Sequence, residues 1–357
     1  MVYNYNDILA YYELIFRRCF MTNHEWYKQA QYGMMIHWGL YSLLAGEWKG
    51  KRTPGIGEWI QSYFSIKNEE YSQLAKVFNP IYFNAEEWVL FAKRCGMKYI
   101  VITSKHHDGF ALFKSEVDKF NVVDATPFGR DIIGELAEAC YKHDMKLGLY
   151  YSQELDWHHP HGGGYTNSGG CSGVSWHNSW DYGMSAEGKD FSICFEEKIK
   201  PQIKEILTKY GELCLVWFDT PHTISTEQSF EIFNMIKEYQ PNCLINSRLG
   251  NGAYDYVSLF DNEIPEKFEP NSATGSLNDL GGFKPSPYGL YETPATLNDT
   301  WGYKYFDHNW KSPEKVAELK KHLNSMGVNY LLNVGPDGLG RIPSISQDIL
   351  LKAAELM

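Results

Sequence analysis

Asp219 closes the run Leu213-Cys214-Leu215-Val216-Trp217-Phe218, six apolar residues followed by a lone carboxylate. A run of that kind reads as a strand buried on both faces, which belongs to a parallel sheet covered by helices. In such sheets the carboxyl ends of the strands carry the chemistry, so Asp219 is either a catalytic carboxylate or the cap of the turn that begins at Thr220-Pro221. Other reactive side chains follow other apolar runs: His37 after Met34-Met35-Ile36, His106 and His107 after Tyr99–Thr103, Ser152-Gln153-Glu154 after Leu147–Tyr151, and Arg248 after Cys243–Asn246. Three histidines with Asp219 could form a zinc site. Adjacent residues on an extended backbone diverge, however, and no His-x-His or HExxH spacing supplies paired ligands. The alternatives are neutral imidazoles that exchange hydrogen bonds with vicinal hydroxyls, or histidines satisfied in a polar core.

These side chains need a frame that gathers several strand ends. Candidate strands are Gly33–Trp38, Tyr99–Thr103, Leu147–Tyr151, Leu213–Phe218, Cys243–Asn246 and Asn329–Val334. They alternate with amphipathic helices expected at Ala85–Cys95, Asp131–His143, Phe191–Tyr210, Glu227–Tyr239, Pro313–Met326 and Ser344–Leu356. Chemistry spread over five strand ends suits the mouth of a (β/α)8-like barrel better than the single switch point of a doubly wound sheet. One catalytic barrel domain is expected over residues 1–357, with long mouth loops at 158–188 and 262–291.

Composition narrows the partners. A net charge of −11 disfavours nucleic acid and anionic membranes. No run approaches the 18 or so apolar residues of a membrane span, and Asp7, Glu13, Arg17 and Arg18 interrupt any leader-like stretch, so a cytoplasmic protein is expected. Seven scattered cysteines without a CxxC pair argue against disulfides and zinc knuckles. Aromatic residues make up 15% of the chain, with 11 Trp and 25 Tyr, an excess that suits stacking on the apolar faces of sugar rings or the interior of a large barrel. Hydrolysis of a glycoside needs two carboxyl groups across the scissile bond. Asp219 is the ionised candidate, and Asp261, Glu263, Glu266, Glu269 and Glu292 fall in the region that must supply the second.

The strings Tyr32-Gly33-Met34-Met35-Ile36-His37-Trp38-Gly39, Lys105-His106-His107-Asp108-Gly109-Phe110, Val216-Trp217-Phe218-Asp219, Asn246-Ser247-Arg248 and Asn298-Asp299-Thr300-Trp301-Gly302-Tyr303 occur in an order that resembles the α-L-fucosidases of glycoside hydrolase family 29. The resemblance runs from about residue 24 to 350. It implies a retaining exo-α-L-fucosidase with Asp219 as nucleophile, acting on a fucosylated oligosaccharide or glycan without metal or other cofactor. It also implies a fucose pocket of His37, Glu58, Trp59, His106, His107, Tyr151, Trp217, Arg248 and Trp301. The acid/base shifts between family members; Glu292 stands first here, nine residues before Trp301, with Asp261 and Glu263 as alternatives. Members commonly carry a C-terminal β-sandwich, which is expected to be absent because the chain stops at Met357. The Trp-x-Gly-Asn-Glu pattern of the branch restricted to α-1,3/1,4-linked fucose is missing, which fits the broader branch. A weak fucose-binding barrel and an α-L-galactosidase-like activity are the rival readings, and a homo-oligomer is left open.

Overall fold

Eight parallel strands surround a common axis in the computed structural model, which describes residues 22–165, 176–183, 185–262, 264–269 and 284–357. They are β1 (Tyr32–Ile36), β2 (Tyr99–Lys105), β3 (Lys146–Tyr151), β4 (Leu215–Phe218), β5 (Leu244–Ile245), β6 (Val257–Ser258), β7 (Tyr291–Thr296) and β8 (Val328–Val334). The hydrogen-bonded order runs β5-β4-β3-β2-β1-β8-β7-β6, and a parallel bridge from Asn246 to Tyr256 joins β5 to β6 and closes the ring. The expected (β/α)8-like barrel is the observed fold.

Period-two alternation divides the strand residues between two environments. Met35, Tyr99, Val101, Tyr150, Leu215, Trp217, Leu244 and Leu331 pack with one another inside the barrel. Their neighbours Met34, Ile36, Ile100, Ile102, Leu149, Tyr151, Val216, Phe218 and Leu332 pack into the larger core under the helices. Burial on both faces is what made these strands continuous apolar runs.

Among the described residues, seven longer helices complete the frame: α1 (Asn23–Ala30), α2 (Ala85–Arg94), α3 (Ile132–Lys142), α4 (Lys200–Lys209), α5 (Thr226–Tyr239), α6 (Pro313–Ser325) and α7 (Ser344–Glu355). Side-chain caps start five of them. Asn84, Asp131 and Ser312 each accept a backbone N–H of the first turn, and Thr22 and Ser225 form capping boxes with Glu25 and Gln228. The expected helix over Phe191–Tyr210 is interrupted by a π-turn at Phe195–Ile199, just before Pro201, whose ring nitrogen cannot donate to an α-register carbonyl. Helix α1 lies at the N-terminal end of the barrel, where Tyr27 enters the interior cluster and its carbonyl accepts from Asn329.

Two barrel strands escaped the sequence reading. β6 is only two residues long, and β7 carries Glu292 and Pro294, neither of which reads as strand. Pro294 is tolerated because β6 pairs only with Tyr291 and Glu292, so on that side nothing asks Pro294 for an N–H. The loop expected to reach Tyr291 therefore stops earlier, and its residues 270–283 lie outside the described set, as do 166–175 and 184 of the other mouth loop.

Candidate active site

Beyond the carboxyl ends of β1 to β5, the interior is polar. Asp219 leaves β4 with its side chain turned to the axis and 13% exposed. Four groups fix it. Tyr150 Oη donates to Oδ2 at 2.9 Å, Arg248 Nη1 donates to Oδ1 at 3.0 Å, and His107 Nε2 lies 3.7 Å from Oδ2. Its own N–H donates to Gln153 Oε1 at 2.9 Å, while the Gln153 amide nitrogen donates to the Arg248 carbonyl at 2.8 Å. One side chain thus ties the end of β4 to the residue that pairs with its carboxylate.

Thr220 follows with φ of 53°, a left-handed backbone that a β-branched residue adopts only under constraint. The constraint is Glu154, fully buried, whose Oε2 accepts the N–H groups of His222 at 2.7 Å and Ile224 at 3.0 Å. Burial pushes the Asp219 carboxyl above the ordinary range; Arg248 opposes that shift and Asp261 adds to it.

Arg248 also reaches the second carboxylate. Its Nη2 donates to Asp261 Oδ1, and its Nη1 lies 3.5 Å from Asp261 Oδ2. The Asp219 and Asp261 carboxylates therefore meet at one guanidinium. Asp261 is 42% exposed, open to solvent in a way Asp219 is not. Asn262 pins this loop: its Oδ1 accepts from Thr296 N and Oγ1 at 2.8 and 2.9 Å, and its N–H donates to the Pro294 carbonyl at 3.0 Å.

The three histidine rings lie close together. His37 Nδ1 bonds Asn333 Oδ1 at 2.8 Å, and Asn333 donates in turn to the Trp301 carbonyl. His106 stacks on Tyr150 at 5.4 Å, and its buried Nδ1 has no partner among the described residues. His107 Nδ1 lies 2.7 Å from Ser152 Oγ, which itself donates to the Leu155 carbonyl, so the proton sits on Nδ1 and Nε2 keeps a lone pair toward the pocket. Burial lowers all three, His37 to about 3, so they are neutral at physiological pH. Among the described residues no group of three or more His, Cys, Asp or Glu side chains is arranged to hold a metal ion.

Glu58 is buried, accepts the Gly302 N–H at 2.7 Å, and is pushed up to about 7 by burial. Gly302 is required there, since a Cβ would fall 2.9 Å from the Tyr41 ring and 3.1 Å from Glu58 N. The Trp301 and His37 ring centroids are 5.1 Å apart, and the Trp59 ring meets His107 at 5.1 Å and Trp157 at 5.2 Å. Behind this wall lies a buried ion network. Lys105 and Lys198 approach Asp156 Oδ2 at 3.0 and 2.9 Å. Burial works against the Asp156 charge, and the two lysines overcome it and hold the carboxyl well below the usual range.

Two expected site residues stand elsewhere. Tyr151 faces the helices, where its Oη donates to Gln202 at 2.8 Å; the tyrosine that donates to Asp219 is its neighbour, Tyr150. Glu292 is fully buried inside the barrel, near the N-terminal end of β7, with Oε2 accepting from Tyr27 at 2.7 Å and Oε1 from Trp217 at 2.8 Å. It does not face the mouth. Glu263 lies outside the described residues. Sequence reading missed Tyr150 and the bridging role of Gln153; strict alternation from Trp217, through the β3–β4 pairing of Tyr150 with Trp217, was the signal that could have found the first.

The chain resembles known proteins along nearly its whole length. A family profile described as Alpha-L-fucosidase matches residues 19–357. The solved α-L-fucosidase AlfC from Lactobacillus casei, in complex with α-L-fucose product, is 56% identical with a TM-score of 0.87, over 94% of this chain and 97% of that one. The crystal structure of an α-L-fucosidase from Vibrio sp. strain EJY3 is 32% identical with a TM-score of 0.81, over 96% of this chain and 56% of that one. Human tissue α-L-fucosidase is 26% identical over 345 residues, which cover 91% of this chain. The chain spans about two thirds of the length of the animal relatives it matches, 66% of the human protein. With a profile matched along nearly its whole length and the barrel of AlfC, the chain belongs to the α-L-fucosidase family.

Proposed function

We propose that this protein is a retaining exo-α-L-fucosidase that releases terminal α-L-fucose from an oligosaccharide or glycoconjugate. The observation that carries the reading is the meeting of Asp219 and Asp261 at Arg248, one carboxylate sequestered and the other facing water. Two carboxylates on one guanidinium suit the separation of roughly 5 Å that a retaining pair needs. Asp219 attacks the anomeric carbon and forms a fucosyl ester. Asp261 gives its proton to the leaving oxygen, then takes one from the water that cleaves the ester. The fully buried Glu292, with both oxygens engaged, is poorly placed for that exchange, so the acid/base role passes to Asp261.

The fucose pocket comprises His37, Glu58, Trp59, His106, His107, Trp217, Arg248 and Trp301. The His107 Nε2 lone pair and the unpartnered His106 Nδ1 suit ring hydroxyls. Glu58, neutral below about pH 7, can donate as well as accept. The tryptophans offer apolar faces to the ring and its methyl group. AlfC has also been solved with Fucα(1,6)GlcNAc, which supports an N-acetylglucosamine-linked fucoside as substrate.

Azide tests the assignment. Asp219→Gly should lose turnover of an aryl α-L-fucoside, and azide should restore it by direct displacement, giving β-L-fucosyl azide. Wild-type turnover by Asp219→Gly would overturn the nucleophile, and a wild-type protein that binds fucose without cleaving fucosides would leave only a binding barrel.

A further inference from the structure

Glu292 is a fully buried carboxyl in the barrel interior with both oxygens hydrogen-bonded, and catalysis as proposed above does not use it. Its Oε2 accepts from Tyr27, on helix α1, at 2.7 Å and lies 3.5 Å from Tyr99 Oη; its Oε1 accepts the indole N–H of Trp217 at 2.8 Å. A carboxyl placed in an apolar barrel without such partners would cost several kcal/mol. Trp217 is the residue through which the group can act. One face of the indole stacks on Tyr150, with centroids 5.4 Å apart and planes 18° from parallel, and the Arg248 guanidinium carbon lies 4.6 Å from the ring. Tyr150 and Arg248 are the two side chains that donate to Asp219. The contact is built from both ends of the barrel: α1 delivers Tyr27 from below, and β3, β4 and β5 deliver the tyrosine, the indole and the arginine from the sides.

We infer that Glu292 is a positioning residue: by fixing the Trp217 indole it sets the plane against which Tyr150 and Arg248 hold Asp219. A rotation of the indole would shift both donors together, and misplacement of a reacting group by about 1 Å costs on the order of 100-fold in rate. The inference rests on Asp219 as nucleophile and adds a role that the nucleophile and the acid do not require.

Glutamine can keep the arrangement, since its oxygen accepts from Trp217 while its amide nitrogen donates to Tyr27 Oη. Alanine cannot, and it strands both partners. Kinetics with two substrates, an aryl fucoside with an acidic phenol and fucosyl-α-1,6-N-acetylglucosamine, separate the roles. A positioning residue predicts that Glu292→Ala lowers kcat/KM by about 100-fold on both substrates alike. It also predicts that Glu292→Gln recovers most of that loss and that Tyr27→Phe gives a smaller loss in the same direction. Should the alanine variant fail to fold, the Gln and Tyr27→Phe variants still decide the matter. Collapse of Glu292→Gln on the disaccharide with the aryl substrate spared would make Glu292 the acid and overturn the inference. So would wild-type kinetics for Glu292→Ala. Failure of azide rescue in Asp219→Gly would instead strike the nucleophile, which none of these variants touches.

Discussion

Arg248 binds Asp219 through Nη1 at 3.0 Å and Asp261 through Nη2, so one buried cation serves a sequestered carboxylate and a solvent-facing one. Arg248→Gln should cost about 3 kcal/mol of stability, most of it from the Asp219 side, because water screens the 42% exposed Asp261. The Asp219 carboxyl would lose the partner that opposes its burial, so its pKa should rise. The acid limb of the kcat/KM profile should then move to higher pH. Urea unfolding and a pH–rate series measure the two effects.

Tyr150 and Tyr151 make a matched pair of controls. Tyr150→Phe deletes a hydrogen bond to a charged carboxylate, worth about 1.5–3 kcal/mol, so kcat should fall roughly 10- to 100-fold. Tyr151→Phe removes only the bond to Gln202 and should leave the kinetics as they are while lowering the melting temperature slightly. The reverse outcome would return the sugar contact to Tyr151.

Asp261→Ala should discriminate by leaving group. An aryl fucoside whose phenol leaves unaided keeps much of its first step, whereas a sugar aglycone, which needs the proton, loses about 100-fold or more in kcat/KM. Azide added to this variant attacks the fucosyl-enzyme, so its product should be α-L-fucosyl azide, opposite in configuration to that from Asp219→Gly. The configuration is read by proton NMR.

Glu58 ties stability to pH. Burial raises its folded pKa from 4.5 to about 7, so the folded state holds this proton where the unfolded chain has released it. Its contribution is fully present below about pH 4.5 and is lost as pH rises through about 7. Glu58→Gln should flatten the decline in stability across that window, and denaturant titrations at pH 4.5, 6 and 7.5 would reveal it. An unchanged slope would mean that the group titrates normally.

Gln153→Ala removes the acceptor for the Asp219 N–H and the donor to the Arg248 carbonyl. Each bond contributes about 1 kcal/mol, so a stability loss of about 2 kcal/mol and a drop in kcat that exceeds any rise in KM are expected. A loss confined to KM would count against the bridging role.

The barrel was legible wherever its strands are buried on both faces, because continuous apolar runs such as Leu215–Phe218 have one reading in a chain that alternates with amphipathic helices. It was illegible at β6 and β7. Two residues leave no periodicity, and Tyr291–Thr296 offers a glutamate and a proline where a strand should show branched apolar residues. That gap governed the site. With β7 taken for a loop, Glu292 read as a mouth carboxylate; in the strand it is the second residue, low in the barrel. Tyr150 was lost for a related reason. Two adjacent tyrosines at the end of β3 look alike, and only the pairing with Trp217 shows which one faces the axis. Asp219, Arg248 and the histidines needed no such register, since each lies within three residues of the end of its strand.

The ring is unevenly built. β4 is paired over four residues with β3, whereas the backbone ladder between β5 and β6 is a single bridge, Asn246 to Tyr256, supplemented by side-chain bonds such as that from Ser258 N to Ser247 Oγ. Arg248 and Asp261 emerge from that thin sector, and Asp219 from the thick one. Asp219 thus stands on the more fully paired wall and Asp261 on the less paired one, which is tied to β7 through Asn262. Thermal breathing of the barrel should therefore change the spacing of the two carboxylates more than it moves Asp219, and the seam amides should exchange with solvent before those of β4.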